Sequence, residues 1–331
     1  MSAIKLSVAV EKLRLAAPFR ISGYVMEEQD VIVVELRDGA HLGRGEASGV
    51  YYLGDTAAKL VAQIEAHRSA IEAGIDRASL QKLLPPGGAR NAVDCALWEL
   101  DSARQGVPVW KLAGLPPLKS LFTTFTLGAD APTVMAEGAR RYSHARYLKV
   151  KLTGELDQDI ARVRAIREAR PEVWMGVDAN QGYTLGALKT LIAELVRAKV
   201  SLLEQPLARG CEAELEGFVS PIPIAADESV LSLGDVPGLA GRFNIVNIKL
   251  DKCGGLTEGL AMAHRARELG LGVMVGNMVG TSLAMAPGFI LGQLCDVVDL
   301  DGPIFLSRDR TPGAVYAEGK IQCGEEIWGG A

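Results

Sequence analysis

From about Leu121 onward the chain repeats one unit, a short apolar run followed by an amphipathic stretch. The runs are Phe122–Leu127, Tyr147–Leu152, Trp174–Asp178, Ser201–Glu204, Ile222–Ala226, Phe243–Leu250, Gly272–Gly276 and Val297–Leu300. Such runs read as strands of a parallel sheet buried on both faces, and the stretches between them as crossover helices. Helices are predicted over Asp157–Ala169 (Ile160, Val163 and Ile166 inward), over Leu185–Val196, and from about Leu256 to Leu269. Eight strands with helices between them suggest a closed parallel barrel, although an open doubly wound sheet has the same rhythm.

The first part of the chain reads differently. Residues 1–50 alternate as strands do, and Val31-Ile-Val-Val-Glu-Leu ends in the turn signal Arg37-Asp-Gly. Helical periodicity follows over Thr56 to about Ala73 and over Asn91–Gln105, which Gly106 closes. Strands followed by segregated helices describe a small α+β domain, here residues 1–120. The barrel is assigned to 121–308, and the turn-rich segment 309–331 is expected to return to the first domain.

Composition narrows the partners. A formal net charge of −5 with no long basic run argues against nucleic acid or an anionic membrane. The N-terminus lacks the apolar core of a signal peptide, and no apolar stretch is long enough to span a bilayer. Five scattered cysteines without a CxxC pair read as apolar fillers in a reducing compartment, so the expected location is the cytoplasm. A homo-oligomer is left open.

The chemistry lies at the strand ends. In a barrel of this kind the C-terminal ends of the strands converge on one mouth, where catalysis is built. Strand two ends Lys149-Val-Lys151, strand three at Asp178, strand four at Glu204, strand five at Asp227-Glu228, strand six at Lys249 and strand eight at Asp299-Leu-Asp301. Asp178, Glu204 and Asp227 are 26 and 23 residues apart, about one βα unit each, so they become neighbours. Three hard anionic oxygens suit Mg²⁺, which keeps further positions for water or substrate. Capping of the following helix would explain one such aspartate, but hardly a triplet that includes glutamate.

Lys149 and Lys151 are two apart and point the same way, into the barrel. Two neighbouring ammoniums depress one another's pKa, which lets one be a base near neutral pH. Lys249 stands nearly opposite, so the two lysines can serve opposite faces of one carbon. Lys252, three residues on, is the competing candidate for that role, but it lies past the strand end and is expected to face solvent.

Lys149-Val-Lys151, Val177-Asp-Ala-Asn180, Glu204-Gln-Pro206, Ala226-Asp-Glu-Ser229 and Asn247-Ile-Lys-Leu-Asp-Lys-Cys-Gly-Gly255 resemble, in order, the muconate-lactonizing subgroup of the enolase superfamily. Ala89-Arg-Asn-Ala-Val-Asp-Cys-Ala-Leu-Trp98 resembles a helix of its capping domain. The resemblance implies an α/β protein with a modified (β/α)₇β barrel, TIM-like, and a capping domain that lids the site. It implies Mg²⁺ on Asp178, Glu204 and Asp227, and acid/base roles for Lys151 and Lys249 supported by Lys149. The reaction implied is a proton transfer at the carbon beside a carboxylate, through an enediolate.

Asp299-Leu-Asp301 resembles the paired acids of dipeptide epimerases, which hold the substrate's ammonium; internal ion pairing is the competing reading. N-acylamino-acid racemase, o-succinylbenzoate synthase and cycloisomerase share the barrel and lysines, but their substrates lack that ammonium. A non-catalytic binding protein on the same fold is the remaining alternative. Epimerases specific for Ala-Glu carry arginine in the cap loop after a Pro-Phe pair, whereas here Pro18-Phe19 is followed by Tyr24 and Met26 about where arginine is expected. Those residues are assigned to the substrate side chain, which implies an L-Ala-Xaa dipeptide with Xaa uncharged. L-Ala-L-Glu stays open should Arg20 or Arg44 reach the site.

Overall fold

A computed structural model describes residues 4–21 and 24–330, the side chains of Ile21 and Tyr24 excepted. Three antiparallel strands, β1 (Lys5–Ile21), β2 (Tyr24–Asp38) and β3 (His41–Ala47), open the chain in spatial order. Ile32, Val34 and Leu36 on one face of β2 are fully buried, and join one apolar cluster with Leu60, Ile64, Ile71, Leu80 and Leu100. Those residues come from α1 (Ala57–Glu65), α2 (Arg68–Glu72), α3 (Arg77–Leu83) and α4 (Gly88–Gln105). The single helix predicted over 56–73 is therefore two, divided at Ala66 and His67. β3 lies directly on α4 because Gly43 and Gly45 permit it. A Cβ on either would stand 2.0 Å from a carbonyl oxygen, of Ala96 or Ala92.

After α5 (Val109–Leu112) and the short β4 (Leu121–Phe122) the parallel strands begin. They are β5 (Thr124–Leu127), β6 (Tyr147–Lys151), β7 (Trp174–Asp178), β8 (Leu202–Glu204), β9 (Ile224–Ala226), β10 (Ile245–Lys249), β11 (Gly272–Gly276) and β12 (Val297–Val298). Each neighbours the next in sequence, with no reversal of order. That order decides between the two sheet types: a doubly wound sheet reverses at a switch point, and a barrel does not. Side chains help to close the seam between β12 and β5. Thr124 Oγ1 donates to Asp299 at 2.6 Å, and Thr126 N donates to Asp301 at 2.7 Å.

Helices α6 (Pro132–Arg141), α7 (Leu156–Ala169), α8 (Leu185–Arg197), α9 (Leu250–Cys253), α10 (Leu256–Glu268) and α11 (Ser282–Gly292) flank the barrel. The connections after β8 and β9 contain only 3₁₀ turns, Glu212–Leu215 and Leu233–Leu239. The second carries Gly234, Pro237 and Gly238, residues that oppose α-helix. α11 shows no amphipathic pattern because ten of its eleven residues are buried. Hairpin β13 (Val315–Ala317) and β14 (Lys320–Gln322) pairs with β4. Beyond it the chain reaches the cap, where Trp328 Nε1 donates to Arg44 O at 2.8 Å. Among the described residues no helix is long and apolar enough to cross a membrane.

Cap and barrel meet where two of the quoted motifs touch. Arg90 Nη2 donates to Cys253 O at 2.6 Å, and Asp94 accepts from Thr257 N at 2.9 Å. Gly254 and Gly255 make room for this: a Cβ there would lie 2.3 Å from Arg90 Nε and 2.5 Å from Asp94 Oδ2. The cap is thereby seated beside the end of β10, which carries Lys249.

Candidate active site

The pleat of β6 sends Lys149 and Lys151 to the same side, and the parallel register sets Lys151 beside Asp178 and Asp178 beside Glu204. Asp178, Glu204 and Asp227 are each buried, and one oxygen from each lies within 4.8 Å of the others. The lysines surround them. Lys151 Nζ is 2.6 Å from Asp178, Lys249 Nζ is 2.7 Å from Asp227, and Lys149 Nζ is 2.8 Å from both Glu204 and Asp299. Asp299 thus has the internal ion pair that was the competing reading of its motif, while the Asp301 carboxylate accepts from Thr126 N and has no ion pair among the described residues.

Burial resists ionisation of Asp178, yet Lys151 and Lys149 outweigh it and hold the carboxyl down at about 2. Asp227 is likewise held low against burial, by Lys249 and Lys252. Glu204 goes the other way, pushed up to about 8 by burial and by the charge of Asp178. Burial would lower Lys149, but Asp299, Glu204 and Asp178 raise it well above the ordinary lysine value. Mutual repulsion of the two lysines, expected from their spacing, is overridden at Lys149 by these carboxylates.

Lys252 corrects an expectation. It is 2% exposed, not solvent-facing, and donates to Asp227 Oδ1 at 2.5 Å and to the carbonyls of Asp227 and Asn247. The helical turn of α9 after β10 folds it back under the strand end, which a strand-end reading does not capture. Other partners were also missed. Gln205 Oε1 accepts from Asp227 N at 2.9 Å, and Asn247 Nδ2 donates to Glu204 at 2.8 Å. Asn180, Gln181 and Gln205 have positive φ, so strained backbone collects at these strand ends.

A cavity of about 100 Å³ opens over the cluster. Lys151, Asp227, Glu228 and Lys249 form its floor, with Phe19, Met26, Tyr51, Tyr52 and Val279 among the walls and roof. Lys149 is absent from the lining and lies behind it. Met26 is 7% exposed and borders this cavity; the Tyr24 side chain lies outside the described residues. Arg44 is bound to Glu99 at 2.6 Å in the cap and lines neither this cavity nor the next. Arg20 lines a separate cavity of about 490 Å³ between β1 and α6, whose lining holds none of the acidic triad or the lysines. Size is a poorer guide to the site here than the convergence of charge.

The donor set fits a divalent cation. Counted as ionised, six buried carboxylates at the mouth (Asp178, Glu204, Asp227, Glu228, Asp299, Asp301) outnumber four buried lysines (Lys149, Lys151, Lys249, Lys252) by two, and the upward push on Glu204 is the mark of that surplus. Buried Asn180 Oδ1, Asn247 Oδ1 and Glu228 Oε2 have no hydrogen-bond donor. Surplus negative charge and orphaned acceptors both call for a cation or its hydration shell.

A parallel barrel with acids and lysines at its mouth and an α+β cap over it defines the class: an enzyme of the enolase-superfamily type. The chain belongs to the mandelate racemase / muconate lactonizing enzyme family, matching its N-terminal domain over residues 3–114 and the enolase C-terminal domain-like family over 134–306. It is 39% identical over 309 residues to L-Ala-D/L-Glu epimerase of Escherichia coli K12, covering 93% of this chain and 96% of that one. It is 34% identical to a hydrophobic dipeptide epimerase of Roseobacter litoralis, covering 93% and 92%. In structure it is similar to the dipeptide epimerase of Methylococcus capsulatus complexed with Mg and L-Arg-D-Lys, with TM-score 0.91, 31% identity and 98% of each chain covered.

Proposed function

We propose that this chain is a Mg²⁺-dependent dipeptide epimerase that inverts the α-carbon of the C-terminal residue of an L-Ala-Xaa dipeptide, with Xaa uncharged. The observation that carries the reading is the pair Lys151 and Lys249, both opening onto one cavity together with Asp227 of the acidic triad, and each ion-paired to a member of that triad. Asp178, Glu204 and Asp227 would hold the metal, which supplies a positive charge to stabilise the substrate carboxylate as negative charge moves onto it. One lysine removes the α-proton from its face and the other returns a proton to the opposite face. Lys249 suits the donor role: Asp227 raises it above the ordinary lysine value despite burial. In the reverse direction the two exchange roles. Lys149, held charged behind the cavity, steadies the carboxylates. Of the Asp299–Asp301 pair, Asp301 is the member without an ion pair and receives the substrate's ammonium, with Asp299 held beside it by Lys149.

An uncharged Xaa is favoured by the roof. Among the described residues that line the cavity the cations are Lys151 and Lys249, both already beside carboxylates, and the remainder is acidic, neutral polar such as Gln29, Tyr52 and Asn277, or apolar such as Phe19, Met26 and Val279. A glutamate side chain closed under it would lack a counter-ion. L-Ala-L-Glu is the second reading, favoured by the 39% identity to the Escherichia coli enzyme. Five free cysteines, three of them buried, suit the cytoplasm.

Incubation with a dipeptide library in D₂O, read by mass spectrometry, tests the reaction through deuterium gained at one carbon. Activity should vanish with EDTA and return with Mg²⁺, and Glu204→Gln or Asp227→Asn should not recover it. Full turnover by metal-free protein would overturn the metal role.

A further inference from the structure

We propose that Asp251, two residues beyond Lys249, is a positioning residue that sets the cap's roof over the cavity. Its carboxylate is 7% exposed and does not line the cavity. Oδ1 accepts from Ser48 N at 2.9 Å and Gly49 N at 3.1 Å. Those amides begin the cap loop whose Tyr51, Tyr52 and Asp55 line the cavity. Farther along, Val50 N donates to Asp55 Oδ2 at 2.9 Å, which closes the loop on itself. The turn that follows the proposed acid/base lysine thus also grips the loop above it.

A reciprocal contact holds the same strand end from the other side. Glu46 in β3 is fully buried, accepting from Thr281 N at 2.7 Å and from Arg310 Nη2 at 2.8 Å. The barrel loop before Thr281 places Asn277, Met278 and Val279 in the cavity wall. A barrel acid therefore holds cap amides and a cap acid holds a barrel amide, with residues 46–49 clamped between. Ser48 and Gly49 are buried, so loss of Asp251 would leave two largely desolvated amides without their acceptor. The loop can relieve this only by moving, and it takes the roof with it. The positioning role rests on the epimerase reading for its consequence in catalysis, but not for its geometry.

Asp251→Ala and Asp251→Asn in the full-length, Mg²⁺-loaded protein test it by steady-state kinetics and by hydrogen exchange of the 48–55 amides. For Asp251→Ala we expect KM to rise about tenfold, with a much smaller change in kcat and lost protection confined to 48–55 and its contacts. Asp251→Asn keeps an acceptor oxygen and should recover most of both. Native KM with native protection in Asp251→Ala, or protection lost evenly throughout the molecule, would overturn the proposal. Should Asp251→Ala fail to fold, Glu46→Gln tests the other half of the clamp: exchange at Thr281 and the 48–55 amides should quicken, and unchanged exchange overturns it. If the native protein turns over no dipeptide, the substrate reading fails while the exchange data still decide the clamp.

Discussion

On the cavity floor and just behind it every lysine touches a carboxylate, from Lys252 at 2.5 Å to Lys149 at 2.8 Å, and the groups stand at the ends of hydrogen-bonded strands or in the turn just beyond one. The roof offers the side chains of Phe19 and Met26, with the Tyr52 hydroxyl lacking a protein partner. The floor is held by neighbouring charges on rigid backbone, and the roof by a few contacts between loops. Floor substitutions should therefore cost rate, and roof substitutions should redirect preference.

The largest effect expected on this division belongs to the floor. Lys151→Ala and Lys249→Ala should each lower epimerisation by about 10³–10⁴-fold, toward the upper range for a lost acid/base group, while either variant retains α-proton exchange with one epimer. Interconversion of both epimers at the native rate by a single-lysine variant would break the two-base assignment.

Next comes the acid pair at the seam. Asp301→Asn should raise KM for free dipeptides by roughly ten- to a hundredfold, the equivalent of a charge-assisted hydrogen bond. N-acetylated dipeptides should already be poor substrates of the native enzyme. Equal turnover of acetylated and free forms would move the reading to the acylamino-acid racemases.

Met26→Arg sharpens the comparison from the roof. It should shift the ratio of kcat/KM for L-Ala-L-Glu over L-Ala-L-Leu by about tenfold toward glutamate, by supplying a charge-assisted partner, while leaving metal affinity unchanged. A native enzyme that already prefers the glutamate dipeptide would overturn the uncharged Xaa.

The smallest effect is on pH. Burial, with the charge of Asp299, pushes Asp301 up to about 7. It gains a proton as pH falls through that value, and its attraction for an ammonium goes with the lost charge. Between pH 7.5 and 6 the ionised fraction falls roughly eightfold, and KM should rise in step. A KM flat across this range would show that Asp301 does not hold the ammonium.

Much of this arrangement was legible because a buried parallel strand tolerates charge only at its end. Asp178, Glu204, Lys151 and Lys249 could be picked out by position along short apolar runs, and the fold's regularity carried them to one mouth. Lys252, Gln205 and Asn247 could not. Their contacts depend on a helical turn after β10, a positive φ at Gln205 and packing between strands, none of which has a period in the sequence. α11 escaped for a related reason, since a helix buried on all sides has no polar face to mark it.

By itself the sequence determined the alternation of strand and helix and the charges at the strand ends, because these follow from local periodicity and from the cost of burying a charge. Only the tertiary structure decided which lysine meets which carboxylate, that Asp299 is paired while Asp301 is less engaged, and that Asp251 reaches across to Ser48 and Gly49. Contacts between residues some two hundred positions apart are set by how the layers dock, and no local pattern encodes that distance.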